Sequence, residues 1–146
     1  MDCEITPLKN NSSKFYELEY LTQQSRGWSH DPIDIKEIYE IKWESEWENF
    51  NNSIGNNRLL WHGGEFFNFG GLLSKGFSMP NNETPPQTYR FGWGIYFSDV
   101  ATKAASYSHP EISGETGLLL LSKVALGNSL ELLSDDFFAY QNIPKY

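Results

Sequence analysis

The sequence predicts an α+β fold, and three observations carry that prediction. Residues 35–43 alternate with a period of two, the period of a strand with one face in solvent. Residues 57–62 and 117–126 are apolar runs of strand length. Helical spacings of three and four appear only in short segments between these stretches. At 146 residues the chain has the length of one domain, able to bury roughly two thirds of its unfolded surface.

Taken in order, residues 2–9 place Ile5 and Leu8 between polar neighbours. Pro7 confines this strand to an edge, because proline has no N–H to give a second neighbour. Asn10 to Ser13 can cap a helix whose Phe15, Leu18 and Leu21 share one face, with Gly27 as its stop. The 35–43 strand follows, polar on most of one face. From Trp43 onward the spacing lengthens: Trp43, Trp47, Phe50 and Ile54 recur at four, three and four, opposite Glu44, Glu46 and Glu48. That pattern is a short amphipathic helix with a solvated acidic side. Asn57 to Gly64 is an apolar strand ending in a histidine and two glycines. Asn68 to Lys75 is helical, with Phe69, Leu72 and Leu73 inward and Gly76 as an αL cap. Residues 78–89 are aperiodic and rich in Pro, Asn, Gln and Thr, a loop of about twelve residues, long enough to suggest a lid. Gly92 and Gly94 bracket a strand at 95–98, and Asp99 is positioned to cap a helix from Val100 to Ser108. The run 117–126 has the composition of a strand buried on both faces, and Gly127-Asn128 turns it into 129–133.

Composition excludes several classes of function. Eleven basic against 19 acidic residues give a formal charge of −8, and the basic residues are scattered, so no Lys/Arg stripe offers a nucleic-acid footprint. The one cysteine, Cys3, rules out an internal disulfide framework, and no Cys/His spacing suits a zinc site; no metal is expected. The N-terminus has no basic-then-apolar signal pattern, and the longest apolar run, 118–121, is too short to span a bilayer. The expected setting is intracellular, nuclear or cytoplasmic, with no membrane contact.

Candidate chemistry lies in two stretches. Asn57 to Gly64 delivers His62 beside bare backbone at Gly63 and Gly64, which lets peptide N–H and C=O groups approach a ligand closely. Tyr96 sits mid-strand, and Lys103, Ala104 and Tyr107 share one side of the next helix at spacings of three and four. Two tyrosines facing across a gap form a slot for a flat ring, worth roughly 0.5–1.5 kcal/mol per stacking contact beyond burial. The same residue types also build ordinary cores: a histidine beside a tryptophan can be a satisfied, half-buried residue. Spacing does not choose between these readings.

Four blocks together do choose. Leu59-Leu60-Trp61-His62-Gly63, then Gly92-x-Gly94-Ile95-Tyr96-Phe97-x-Asp99, then Lys103-Ala104-Ala105-Ser106-Tyr107, then Val124-Ala125-Leu126-Gly127-Asn128 resemble, in order and spacing, the catalytic domain of the poly(ADP-ribose) polymerase family. Asn57-Arg58, the Asn68-Phe69 helix, Cys3-Glu4-Ile5 and Ser29-His30-Asp31 agree with it. The resemblance implies a split β-sheet ADP-ribosyltransferase fold that takes NAD as substrate and passes ADP-ribose to a protein or ADP-ribose acceptor, releasing nicotinamide. It implies that His62 bonds the adenosine ribose, Gly63 holds the carboxamide, Tyr107 stacks on the nicotinamide ring, Tyr96 forms the opposite wall and Lys103 lies toward the acceptor. Gly64, Asn68 and Tyr89 complete the implied donor-binding set with Ala104. His62, Tyr96 and Lys103 are the implied catalytic residues. The loop 78–89 corresponds to the family's lid.

Departures from the family pattern qualify this. The family's glutamate stands on a strand well after the 124–128 block, and none of residues 1–146 occupies that place: Glu131 matches another position, and Asp135 and Asp136 follow too soon. The expectation is one domain over 1–146, C-terminally incomplete and missing its last strands. Ala104 replaces a serine whose hydroxyl binds the carboxamide, a loss of roughly 1–3 kcal/mol for a buried acceptor, or about one to two orders of magnitude in affinity. Gly64 replaces a serine and Ser78 an arginine. Without the glutamate, the alternative to a transferase is an inactive module that binds NAD, ADP-ribose or a protein partner.

Overall fold

Two antiparallel strand pairs, rather than one continuous sheet, organise residues 3–80, 83–110 and 116–143, the part described by a computed structural model. Strand β1 (Cys3–Pro7) pairs with β2 (Tyr39–Trp43), with Pro7 opposite Tyr39 at the end of the ladder. Between them runs α1 (Ser13–Gln24), started by Ser12, whose hydroxyl accepts the Phe15 N–H at 3.2 Å. Strand β2 is shorter than its alternating pattern. Only the Leu8 N–H, donating to Ile38 O, extends the ladder, so residues 35–37 keep the pattern without a partner strand.

The helix expected after Trp43 is α2 (Glu44–Asn49), but it ends before Phe50. Asn51 takes the Ser53 N–H and opens a separate 3-10 turn at Asn52–Ile54, which breaks the helical spacing. Glu46 is more than a solvated face, since its Oε1 accepts the Phe77 N–H at 3.2 Å. The Trp43 indole donates to Leu73 O, tying the end of β2, where α2 starts, to α3 (Phe66–Lys75). Helix α3 begins two residues before its expected start and buries Phe69. Gly76 ends it at φ 75 and ψ −167, outside the αL region and open only to glycine.

Strand β3 (Asn57–Gly63) pairs with β4 (Leu119–Ala125) from Asn57↔Ala125 to Gly63↔Leu119. Four expectations around this pair are corrected. Residues 95–97 form no strand; only Ser98 pairs, in a single bridge to Trp61. Asp99 is not a cap: Val100 stands at the N-terminus of α4 (Ala101–Ala105), and its N–H goes to the Ser98 hydroxyl at 3.0 Å. Helix α4 is accordingly one turn, not two. Strand β4 is not covered on both faces, because among the described residues it pairs with β3 alone and only Leu120 is buried. Residues 129–133 are mostly exposed and form no strand.

The core sits where β3 crosses α4. Trp61, Ala101 and Ala104 are its buried members, with Leu21, Ile33, Leu119 and Leu121 packed around them. The buried Trp61 indole donates to Ser25 Oγ at 2.9 Å, satisfying a group that is costly to bury unpaired. Ser25 O in turn accepts the Ala101 N–H, and Arg26 O the Thr102 hydroxyl at 2.7 Å. No helix among the described residues is long and apolar enough to cross a membrane.

Replacing Trp61 with alanine is expected to cost about 3–5 kcal/mol, and with phenylalanine, which keeps most of the packing and loses the indole bond, about 1–2 kcal/mol. Urea denaturation followed by circular dichroism checks both; equal midpoints for wild type and Trp61→Ala would remove Trp61 from the centre of the core.

Candidate active site

His62 and Gly63 end β3 opposite Leu120 and Leu119. Side chains alternate along a strand, so with Trp61 turned to the core, His62 leaves on the other face and Gly63 returns to the Trp61 side. There it meets α4: a Cβ at Gly63 would lie 1.9 Å from Ala104 O. Glycine is required for close approach of backbone to backbone. At Gly64 a Cβ would find only ordinary contacts, at 3.9 Å from Phe69 and 4.0 Å from His62 Nε2.

The His62 ring is held by one polar and three aromatic contacts. Nδ1 lies 2.8 Å from Tyr96 O. A carbonyl oxygen only accepts, so Nδ1 carries the proton and the neutral ring presents Nε2 as an acceptor. Phe77 meets the ring edge-on at 5.1 Å, with Phe97 at 5.6 Å and Phe69 at 6.5 Å. These phenylalanines orient the ring, and the contacts of Phe77 and Phe97 escape a sequence reading, since single aromatics 15 and 35 residues from His62 share no periodicity with it.

Tyr96 is fixed by its hydroxyl. It donates to Gly92 O at 2.6 Å and accepts the Phe91 N–H at 3.3 Å. Gly92, at φ +76, makes this turn possible. Tyr89, from the edge of the expected lid, stacks on the Tyr96 ring at 5.8 Å and 20°. Burial raises the Tyr96 phenol above its ordinary range, against a lowering by the Phe91 N–H, with Tyr89 and Tyr107 adding to the rise. The Tyr107 ring is half exposed, and Lys103 Nζ sits over it at 5.1 Å from the centroid.

The expected residues are thus brought together in pairs: His62 with Tyr96, Tyr89 with Tyr96, Gly63 with Ala104, Lys103 with Tyr107. Ala104 contributes a core methyl and the carbonyl against Gly63. Asn68 is exposed on α3 beside Phe69, with no bond to the other members. Of the loop 78–89, residues 81–82 lie outside the described residues; Pro86–Thr88 forms a 3-10 turn, and the Trp93 indole donates to Thr84 O at 2.7 Å. Asp135 reaches the site unexpectedly, its Oδ1 bonded to Arg90 Nε at 3.0 Å and Nη2 at 2.7 Å. The bond from Arg90 holds its carboxyl below the ordinary range. Among the described residues no group of three or more His, Cys, Asp or Glu is placed to hold a metal ion.

The chain is mixed α/β, with His62, Gly63, Tyr89 and Tyr96 gathered around the end of β3. The family model for the poly(ADP-ribose) polymerase catalytic domain matches residues 12–146. A poly [ADP-ribose] polymerase 2 of Zea mays is 36% identical over 149 residues, 99% of this chain and 23% of its own length. The Homo sapiens poly [ADP-ribose] polymerase 2 is 36% identical over 135 residues, covering 91% of this chain and 23% of its own length. A Drosophila melanogaster poly [ADP-ribose] polymerase is 36% identical over 90% of this chain and 14% of its own length. The chain belongs to the poly(ADP-ribose) polymerase family, and spans about a quarter or less of the length of these relatives.

Two measurements test the geometry. Gly63→Ala must push α4 off β3 and is expected to cost several kcal/mol, whereas Gly64→Ala stays within about 0.5 kcal/mol; equal melting temperatures for the two variants would contradict the Gly63–Ala104 contact. Nitrogen-15 spectra of the neutral His62 ring should show Nδ1 protonated and Nε2 bare, and the opposite tautomer would break the bond to Tyr96.

Proposed function

We propose that this chain carries the donor-binding half of an NAD-dependent ADP-ribosyltransferase of the split β-sheet type. The observation that carries the reading is the His62 Nδ1 to Tyr96 O bond, which joins two blocks 34 residues apart and leaves Nε2 as the ring's acceptor for a ligand. A ribose hydroxyl is the matching donor. In this reading Tyr107 offers its half-exposed face to the nicotinamide ring, with Tyr96 and Tyr89 as the facing wall and Gly63 supplying backbone groups to the carboxamide. Gly64 and Asn68 stand beside His62 toward the adenosine half, and Ala104 backs Gly63.

The reaction breaks the bond between nicotinamide and ribose, and the electron pair leaves with the ring, which departs neutral. Positive charge develops on the ribose, and an acceptor side chain of a protein, or the hydroxyl of a bound ADP-ribose, attacks it. Holding the two halves of NAD rigidly is the part these residues perform. His62, Tyr96 and Lys103 are the catalytic candidates, Lys103 toward the acceptor. Stabilising the developing charge calls for a carboxylate, which the family resemblance places after residue 146. Asp135 does not supply it, being engaged by Arg90. That engagement favours a second reading for residues 1–146 taken alone: a module that binds NAD or ADP-ribose, or a protein partner, without transfer.

Nicotinamide titrated calorimetrically is expected to bind wild type and to weaken about tenfold in Tyr107→Ala; unchanged affinity would sink the stacking assignment. Residues 1–146 incubated with labelled NAD should incorporate no ADP-ribose into protein, and incorporation would show that transfer proceeds without that glutamate.

A further inference from the structure

The segment 135–141 follows β4 and contains nothing that the donor site uses directly, yet it grips that site from behind. Arg90 bonds Asp135 Oδ1 through both Nε and Nη2, and Arg90 O accepts the Asp136 N–H at 3.0 Å. Two residues on, the segment presses against Gly92: a Cβ there would lie 2.4 Å from Phe137 O and 2.6 Å from Tyr140 Cδ1. The Trp93 and Tyr140 rings meet at 5.0 Å. The segment also shapes itself, since Asp136 Oδ1 accepts the Phe138 N–H and Asp136 O the Ala139 N–H, ahead of a 3-10 turn at Ala139–Gln141.

What it grips is the mount of Tyr96. Phe91 N–H and Gly92 O are the two groups that fix the Tyr96 hydroxyl, and Tyr89, beside Arg90, stacks on its ring. Tyr96 O, in turn, holds His62. We propose that Asp135 is a positioning residue for the Tyr89–Tyr96 wall of the donor site, acting through Arg90 while 137–140 brace Gly92. The proposal rests on the donor-site reading given above. An exposed ion pair holds little by itself, and this one is exposed on both sides. It matters here because the backbone bond at Asp136 and the ring contact at Tyr140 act on the same short turn, so that loosening one frees the others.

The test has one arm without ligand and one with it. In Asp135→Lys the Phe91 and Asp136 amides should exchange about tenfold faster, while the β3–β4 amides of Trp61 and Leu121 keep their rates. The double variant Arg90→Glu/Asp135→Lys and the conservative Asp135→Glu should both recover wild-type exchange. With nicotinamide as the probe, affinity should fall about three- to tenfold in Asp135→Lys and return in the double variant. Unchanged Phe91 exchange in Asp135→Lys overturns the positioning role, and so does faster exchange with unchanged nicotinamide affinity. Wild type that binds no nicotinamide overturns the donor-site reading instead, and the exchange arm still decides whether Asp135 holds the Tyr96 mount.

Discussion

Trp61 is the contact on which this half of the molecule depends. Its N–H and C=O close both bonds of the bridge to Ser98, at 2.7 and 2.8 Å, its indole N–H ends on Ser25, and its ring packs on Ala101 and Ala104. One residue thereby joins β3, the end of α1, the Ser98 segment and α4. The next two residues inherit its orientation. A strand that turns Trp61 inward must turn His62 outward and bring Gly63 back against α4, where Ala104 O leaves no space for a side chain. The histidine and the glycine of the site are thus set by the packing of the tryptophan before them.

How much of this was legible in the sequence depended on whether the signal was local. Helix α1 was readable because its cap, Ser12, and its apolar face lie within one segment. Strand β3 was readable from composition, and β4 to within two residues, though not their pairing. The strand expected at 95–98 failed because Gly92 and the Tyr96 hydroxyl spend the local hydrogen bonds on a turn instead of a ladder. Asp99 failed as a cap because Val100 holds the capping position without a side-chain bond to the helix, and the Ser98 hydroxyl takes the Val100 N–H just ahead of it. At the site, the identities of His62, Tyr96 and Tyr107 came through as blocks, but the Phe77 and Phe97 contacts on His62 and the Arg90–Asp135 bond did not. Those contacts span 15 to 45 residues and have no period to betray them.

The unshared edge of β4 bears on stability. Among the described residues, β4 is paired on one side only, and the open side of a seven-residue strand offers backbone groups to any further strand. Lys123 lies within it, and its ammonium bonds Asn52 and sits 5.0 Å from the Phe50 ring. A charged residue at that position is the usual protection of an edge against aggregation.

The chemistry the site can perform follows from the kinds of groups it holds. His62 spends Nδ1 on Tyr96 O, which leaves Nε2 for another partner. Tyr96 spends its hydroxyl proton on Gly92 O, and burial holds that phenol protonated to higher pH than usual. Lys103 rests on the face of Tyr107, and Asp135 is paired with Arg90. His62, Tyr96 and Asp135 are thus each held in one direction by a bond within the chain. Fixed acceptors, ring faces and bare backbone are what binding a dinucleotide in one conformation requires. Driving the ribose to a cation requires an unpaired negative charge beside it, and that demand is separable from the first: in the proposed reading these residues hold the donor while the charge comes from another strand.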